Sequence, residues 1–137
     1  MMLDISNLYY AYRNRLVLNG INLTLDKGGL LTLLGRNEVG KSTLLNCIAG
    51  LLKPQRGRIM LDGKSVQSMS ARQMAKITAY VPQYSPQTYR YTMLEYAVLG
   101  CAARLGIMQK PEAADYERAV QALEVLGIAH LADHIYS

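Results

Sequence analysis

The sequence has little of several features that would assign a chain to a class at once. Its 137 residues include two cysteines and two histidines, and there is no tryptophan or phenylalanine. Cys47 and Cys101 lack metal-type spacing, so we expect reduced thiols rather than a disulfide framework. No apolar run approaches the roughly 20 residues of a bilayer-spanning helix. The chain also does not begin with a basic region followed by an apolar stretch. A soluble, cytosolic protein is therefore expected.

The charge of the chain is modest and has no block of one sign. Fifteen basic and ten acidic residues give a formal net charge of +5, spread along the sequence. This pattern is typical of a solvated surface and does not favour a nucleic-acid partner. Because half of the residues are apolar, the chain has the composition of a globular domain and the length of one.

The clearest positive feature is a glycine-bounded loop of the pattern G-x-x-x-x-G-K-[ST]. Before it, residues 30–34 form a short apolar run that predicts a buried strand, and residues 41–52 after it have helical spacing. A strand, a loop and a helix N-terminus gather backbone N–H groups around one point, which favours a polyphosphate over a structural turn. Lys41 is expected to reach the β- and γ-phosphates, and the Ser42 hydroxyl to ligate Mg²⁺. The predicted loop consists of Gly35, Arg36, Asn37, Glu38, Val39, Gly40, Lys41, Ser42 and Thr43.

The first part of the chain, residues 1–83, reads as mixed α/β. Turn residues such as Asn19-Gly20 and Asp62-Gly63 separate the apolar runs. Ser70 is a candidate N-cap for a short helix through Lys76. Strands are predicted at residues 2–8, 16–18, 21–25, 58–61 and 77–81.

The second part, residues 84–137, reads as helical after a polar and aromatic loop at residues 84–91. Thr92 is expected to cap a helix over residues 93–100. Pro111 is expected to open a helix that runs to Leu126 and ends at Gly127. One more short helix is predicted at residues 128–136.

This arrangement resembles the ATP-binding subunits of ABC transporters over the whole chain. Tyr12, which lies 23 residues before Gly35, resembles the family's aromatic loop, where a ring stacks on adenine with an aliphatic residue, here Val17, beside it. Gln83, after a predicted strand and proline, resembles the glutamine that ligates Mg²⁺ near the γ-phosphate. Tyr9 and Tyr10 are the other candidates for the ring that stacks on adenine. The alternative interpretation of Tyr12 is a strand tyrosine that belongs to the core.

The resemblance implies the fold and the partners of the chain. The expected fold is α/β: a P-loop NTPase core with an N-terminal antiparallel β part, the start of a helical subdomain and an incomplete sheet. The implied ligands are ATP and Mg²⁺. The implied partners are a membrane permease, reached through residues 84–137, and a second ATPase subunit. The implied location is the cytoplasmic face of the cell membrane, where the protein would power import. The segment over residues 89–106 weakly resembles importers of the iron-siderophore, haem or cobalamin type.

Two departures from the family pattern lower this expectation. The 137 residues contain no Leu-Ser-Gly-Gly signature and no apolar strand ending in Asp-Glu, so we assign no catalytic residue and expect binding rather than hydrolysis of ATP. We also expect the chain to stop just before the signature, which would leave apolar strands at 30–34 and 77–81 without cover. Glu38 stands where the family usually has glycine. Its carboxylate would weaken phosphate binding by roughly 1–3 kcal/mol if it pointed inward, and a positive φ would add about 1 kcal/mol.

Alternative functions remain open at this point. A degenerate remnant or interaction module with weak or no nucleotide binding is the main rival. His130 and His134, with Asp133 nearby, could hold zinc, but surface histidines are the commoner case.

Overall fold

The computed structural model describes residues 2–83, 90–106 and 108–136, and the chain divides into two compact units, Met1–Tyr80 and Val81–Ser137. The first unit contains a four-stranded antiparallel sheet with the strand order β2-β1-β3-β4. Helices α1 and α2 accompany the sheet, so the unit is α/β. Its elements are β1 (Leu3–Tyr12), β2 (Arg15–Leu25), α1 (Lys41–Ile48), β3 (Arg56–Leu61), β4 (Lys64–Ser65) and α2 (Ala71–Ile77).

The core of the first unit lies under one face of this sheet. Leu3 of β1 pairs with Leu25 on one side and Leu61 on the other, and Ile5 pairs with Leu23 and Ile59. Alternation along the strands therefore sends apolar side chains to the same face. The fully buried members are Ile5, Leu8, Ile59 and Cys47, and the last of these brings α1 onto the sheet.

A bulge in β1 breaks the simple alternation. Asn7 has a φ of 46°, and both strand pairings of β1 shift register around it. The next core residue is consequently Leu8 rather than residue 7. Gly57 of β3 faces the bulge, and a Cβ atom at this position would collide with the backbone of Asn7 and Ser6. Glycine is therefore required there, because no side chain fits against the bulged backbone.

Several of the predicted elements are confirmed. Ser70 caps α2, since its hydroxyl accepts the Gln73 N–H while the Gln73 side chain accepts the Ser70 N–H. Thr92 caps α3 (Met93–Val98) in the same way with Glu95. Helix α4 (Ala113–Val125) ends before Gly127, which has a φ of 71°. These signals are local in sequence, so a local pattern finds them.

Other predicted elements are wrong or differ. Residues 30–34 form no strand, and Ile77 is the last residue of α2 rather than the first of a strand over 77–81. A strand needs a hydrogen-bonded neighbour, and within the described residues neither segment has one. The two strands predicted at 16–18 and 21–25 are one strand, β2, because Gly20 takes a φ of 63° inside the ladder.

The second unit is helical and has its own small core. Val98 of α3 and Ala119 of α4 are buried together with Cys101, which lies in the 3-10 turn that follows α3. The short helix predicted at 128–136 is reduced to one 3-10 turn, Ala129–Leu131. After this turn a single β-bridge joins Ile135 to Thr92, and the Met93 N–H donates to the His134 carbonyl oxygen.

The described residues lack two features, a membrane-spanning helix and a metal-binding cluster. No helix there combines the length and the apolar character that a bilayer crossing requires. Among the same residues no group of three or more His, Cys, Asp or Glu side chains is placed to hold a metal ion. The histidine pair at 130 and 134 thus has no third ligand of this kind in the described part of the chain.

Candidate functional site

The glycine-bounded loop leads directly into the N-terminus of α1. Gly40 is the N-cap of this helix, with a φ of 101°, and no side chain caps the helix end. The Leu44 N–H donates to the Gly40 carbonyl oxygen over 2.8 Å, so regular helical bonding begins there. Helix geometry leaves the N–H groups before it without an intrahelical acceptor. With no acidic residue in the first turn, this helix end suits an anionic group.

Lys41 ties the beginning of the helix to the beginning of the loop. Its Nζ atom donates to the carbonyl oxygens of Gly35 and Arg36, each over 2.6 Å. These two bonds close the loop on itself and hold one positive charge over its carbonyl groups. Lys41 is thus held by the loop itself, and its predicted contact with the β- and γ-phosphates stays a prediction.

The two hydroxyl residues after Lys41 have different surroundings. Ser42 is exposed, whereas Thr43 is buried against the core with 6% of its surface accessible. A ligand that approaches the helix end can therefore reach the Ser42 hydroxyl but not that of Thr43. The donor set at this point, an exposed hydroxyl beside a loop closed by lysine, fits a phosphate-bound Mg²⁺ ion, which prefers hard oxygen ligands.

The β1–β2 hairpin supplies the aromatic side of the candidate site. Tyr12, at the end of β1, is 47% exposed, and its ring meets the Tyr10 ring edge-on with centroids 4.9 Å apart. Tyr10 is half-buried, and burial first, then its neighbours Tyr12 and Cys47, raises the pKa of its phenol. Of these two tyrosines, Tyr12 thus has more of its ring available to a planar ligand.

Val17 of β2 brings the hairpin against the end of the loop. A Cβ atom at Gly40 would lie 2.9 Å from Val17 Cγ1 and 3.2 Å from the Val17 carbonyl oxygen. The hairpin and the loop are thus in van der Waals contact, which requires glycine at position 40. This contact brings together two of the predicted site residues, Val17 and Gly40, which are 23 positions apart in the sequence.

The Glu38 side chain faces the β1–β2 hairpin. Its φ of 67° is unusual for a residue with a side chain, so the backbone strain expected from a positive φ at position 38 is present. The carboxylate is 3.6 Å from the Arg15 guanidinium, and both side chains are largely exposed. Of the remaining loop residues, Asn37 is exposed, as is half of Val39.

Gln83 belongs to the second unit, and its backbone carries no regular structure. Its proximity to the loop stays a prediction. The aromatic stretch at residues 84–89 lies outside the described residues.

Two residues near the site were missed by sequence reasoning. These are Arg15 and Gln55, neither of which is among the predicted site residues. The Gln55 amide accepts from the Ala11 N–H over 2.9 Å and donates to the Ala11 carbonyl oxygen over 3.0 Å. This pair of bonds fixes the backbone between Tyr10 and Tyr12. No sequence signal could have found it, because the partners are 44 residues apart.

Comparison with known proteins decides the family. The family model described as ABC transporter matches residues 18–137. The chain belongs to the ABC transporter family. An uncharacterised ABC transporter ATP-binding protein of Haemophilus influenzae is 35% identical over 99% of this chain and 52% of its own length. A protein of Helicobacter pylori named probable iron chelatin transport ATP-binding protein is 31% identical over 97% of this chain and 52% of its own.

A solved structure agrees with this assignment. The structure of cbiO1 from Clostridium perfringens, described as part of the ABC transporter complex cbiONQ, has a TM-score of 0.71 and 27% identity. The match covers 98% of this ABC transporter chain and 53% of the cbiO1 chain. The P-loop NTPase fold expected from the sequence is therefore confirmed, and the chain spans about half the length of these relatives. It is an ABC transporter ATP-binding domain with importer-type homologues, among them a protein of Methylobacillus flagellatus named hemin import ATP-binding protein HmuV.

Proposed function

We propose that this chain binds MgATP and forms the nucleotide-binding part of an ABC transporter ATPase. The observation that carries the proposal is the closed loop in which Lys41 Nζ bonds to the Gly35 and Arg36 carbonyl oxygens. Bound phosphates would take over this ammonium group and the N–H groups at the start of α1. The N–H groups at a helix end favour an anion, and hydrogen bonds from an ammonium group to phosphate oxygens are stronger than those between neutral groups.

Each candidate residue has a proposed task in this complex. Tyr12 would stack on adenine, with Val17 beside it, and such stacking contributes about 1–3 kcal/mol. Ser42 would hold the Mg²⁺ ion, together with Gln83. When bound, this ion neutralises charge on the phosphate oxygens. The backbone of Gly35, Arg36, Asn37, Glu38, Val39, Gly40 and Thr43 would complete the phosphate cradle.

The two parts of the chain, residues 1–83 and 84–137, would have different roles. Residues 1–83 would form the ATP-binding core, and residues 84–137 the Q-loop region and part of a helical subdomain that docks on a membrane permease. A second ATPase subunit would be the other partner. The protein would then act at the cytoplasmic face of a membrane and power import. The relative named for iron chelatin supports a metal-chelate importer, and cbiO1, as part of a transporter complex, supports the permease.

Calorimetric titration of the 137-residue polypeptide with MgATP tests the proposal. Wild type should give saturable heat, and Lys41→Ala should lose at least about tenfold in affinity, the equivalent of about 1.4 kcal/mol. Lys53→Ala, which removes an exposed lysine outside the loop, should bind like wild type. No phosphate release is expected, because the sequence has no assigned general base. Equal binding by wild type and Lys41→Ala, or none by wild type, would favour the interaction module without nucleotide binding.

A further inference from the structure

The phosphate loop of this chain carries a negative charge of its own. Glu38 lies between Gly35 and Gly40, and its backbone takes a left-handed φ of 67°. A carboxylate at such a position repels bound phosphate groups unless a positive charge compensates for it. An unopposed Glu38 would therefore be expected to weaken the proposed nucleotide site.

Arg15 provides a positive charge beside this carboxylate. It is the first residue of β2 and pairs in register with Tyr12, the last residue of β1. Its guanidinium lies 3.6 Å from Glu38 Oε2. Arg15 therefore joins the aromatic end of the hairpin to the middle of the loop.

This ion pair is supported by a second, independent contact between the same two segments. Val17, two residues along β2 from Arg15, packs where a Cβ atom of Gly40 would be. The Gln55 amide also holds the backbone of Ala11, next to Tyr12. The hairpin tip is thus fixed on both sides, so Arg15 has a defined position from which to face the loop.

We infer that Arg15 is a positioning residue of the nucleotide site, whose guanidinium draws the Glu38 carboxylate toward the hairpin and away from the bound phosphates. The inference rests on the proposed MgATP binding. Arg15 acts through Glu38 and not by touching the nucleotide. Its effect on affinity must accordingly disappear when position 38 carries no charge.

A double-mutant cycle measures this dependence directly. MgATP affinity is compared among wild type, Arg15→Ala, Glu38→Gly and the double variant at low salt. Arg15→Ala should weaken binding about two-fold to five-fold when Glu38 is present, and less than about 1.5-fold when residue 38 is glycine. Glu38→Gly should tighten binding, and more strongly in the Arg15→Ala chain.

Two further measurements and one control variant separate an electrostatic role of Arg15 from a structural one. Arg15→Lys keeps the charge and should bind nearly like wild type. Raising the salt to about 1 M, where the Debye length falls to about 3 Å, should shrink the Arg15→Ala effect. As a control, Lys27→Ala removes a positive charge from an exposed turn elsewhere in the first unit and should leave affinity unchanged.

The possible contrary results have different meanings. An equal loss from Arg15→Ala in both backgrounds would overturn the inference, because Arg15 would then contact the nucleotide or support the hairpin. No loss in either background would overturn it as well, while leaving the proposed MgATP binding intact. An absence of binding in all four chains would overturn both.

Discussion

At the scale of single residues, Gly40 bears the tightest constraint of the candidate site. It has a φ of 101°, and any side chain there would press on Val17 and Leu18 of β2. The residue must also leave the start of α1 open, because this helix end is where an anion is expected. One atom of added bulk therefore affects both the packing of the hairpin and the shape of the loop.

We expect Gly40→Ala to lower the free energy of unfolding by about 2–4 kcal/mol, adding backbone strain to overpacking. Gly28→Ala is the matched control, since Gly28 has a similar φ of 79° but no atom within 4 Å of its Cβ position. This control should lose only about 1 kcal/mol. Urea denaturation followed by circular dichroism measures both values. Equal losses in the two variants would contradict the packing argument.

At the scale of elements, α4 is stabilised at its first turn by a charged side chain. The Asp115 carboxylate accepts the Glu112 N–H over 2.9 Å and an Arg118 N–H over 2.7 Å. The hydrogen bond from the Glu112 backbone, and then the bond from Arg118, hold the pKa of Asp115 below its ordinary value. Asp115 is the N-terminal acid of a helix whose buried face includes Ala119 and Leu123.

This lowered pKa predicts how stability depends on pH. Because the folded chain holds the proton of Asp115 less tightly than the unfolded chain, the carboxylate stabilises the fold above about pH 4, the ordinary Asp value. The contribution is lost as the pH falls through the lower pKa of the folded state. Asp115→Asn should therefore lower the Tm at neutral pH, and the difference from wild type should shrink as the pH falls below about 4, the ordinary Asp value.

Thermal unfolding followed at a series of pH values checks this expectation. Glu117→Gln, an exposed acid on the same helix, serves as the control and should change the Tm little. A difference between Asp115→Asn and wild type that stays constant down to the lowest pH would mean that the carboxylate charge is not responsible.

At the scale of the whole molecule, the segment before the loop is one of the places where large apolar side chains are exposed. Leu30 is 93% exposed and Leu34 is 87% exposed, while Leu33 packs partly on the core of the first unit. The backbone of residues 30–34 is paired with no strand among the described residues. Exposed apolar side chains on unpaired backbone favour association with another chain.

We therefore expect the 137-residue polypeptide to self-associate with rising concentration. Replacing Leu30 and Leu34 together by lysine should weaken this association several-fold without lowering the Tm, because these side chains are already in solvent. Light scattering coupled to size-exclusion chromatography measures the effect. A second double variant, Leu51→Lys with Val125→Lys, changes two other apolar residues, which are 63% and 87% exposed. If it reduces association as much, the segment at 30–34 has no special part in it.

The sequence by itself determined the features that depend on neighbouring residues. The caps at Ser70 and Thr92, the end of α4 before Gly127 and the turn at Asp62-Gly63 need partners only a few positions away. The glycine-bounded loop is of the same kind, since its glycines, Lys41 and Ser42 are consecutive. Local hydrogen bonding and allowed backbone angles suffice to specify these elements.

Only the tertiary structure decided the features that join distant parts of the chain. The approach of Glu38 to Arg15, the amide bonds of Gln55 to Ala11 and the bulge that places Leu8 in the core depend on how β1, β2 and β3 meet. The apolar run at residues 30–34 shows the same limit, because its composition suits a strand and yet pairing decides whether one forms. Strand pairing and side-chain contact are properties of separated segments, and no local pattern contains them.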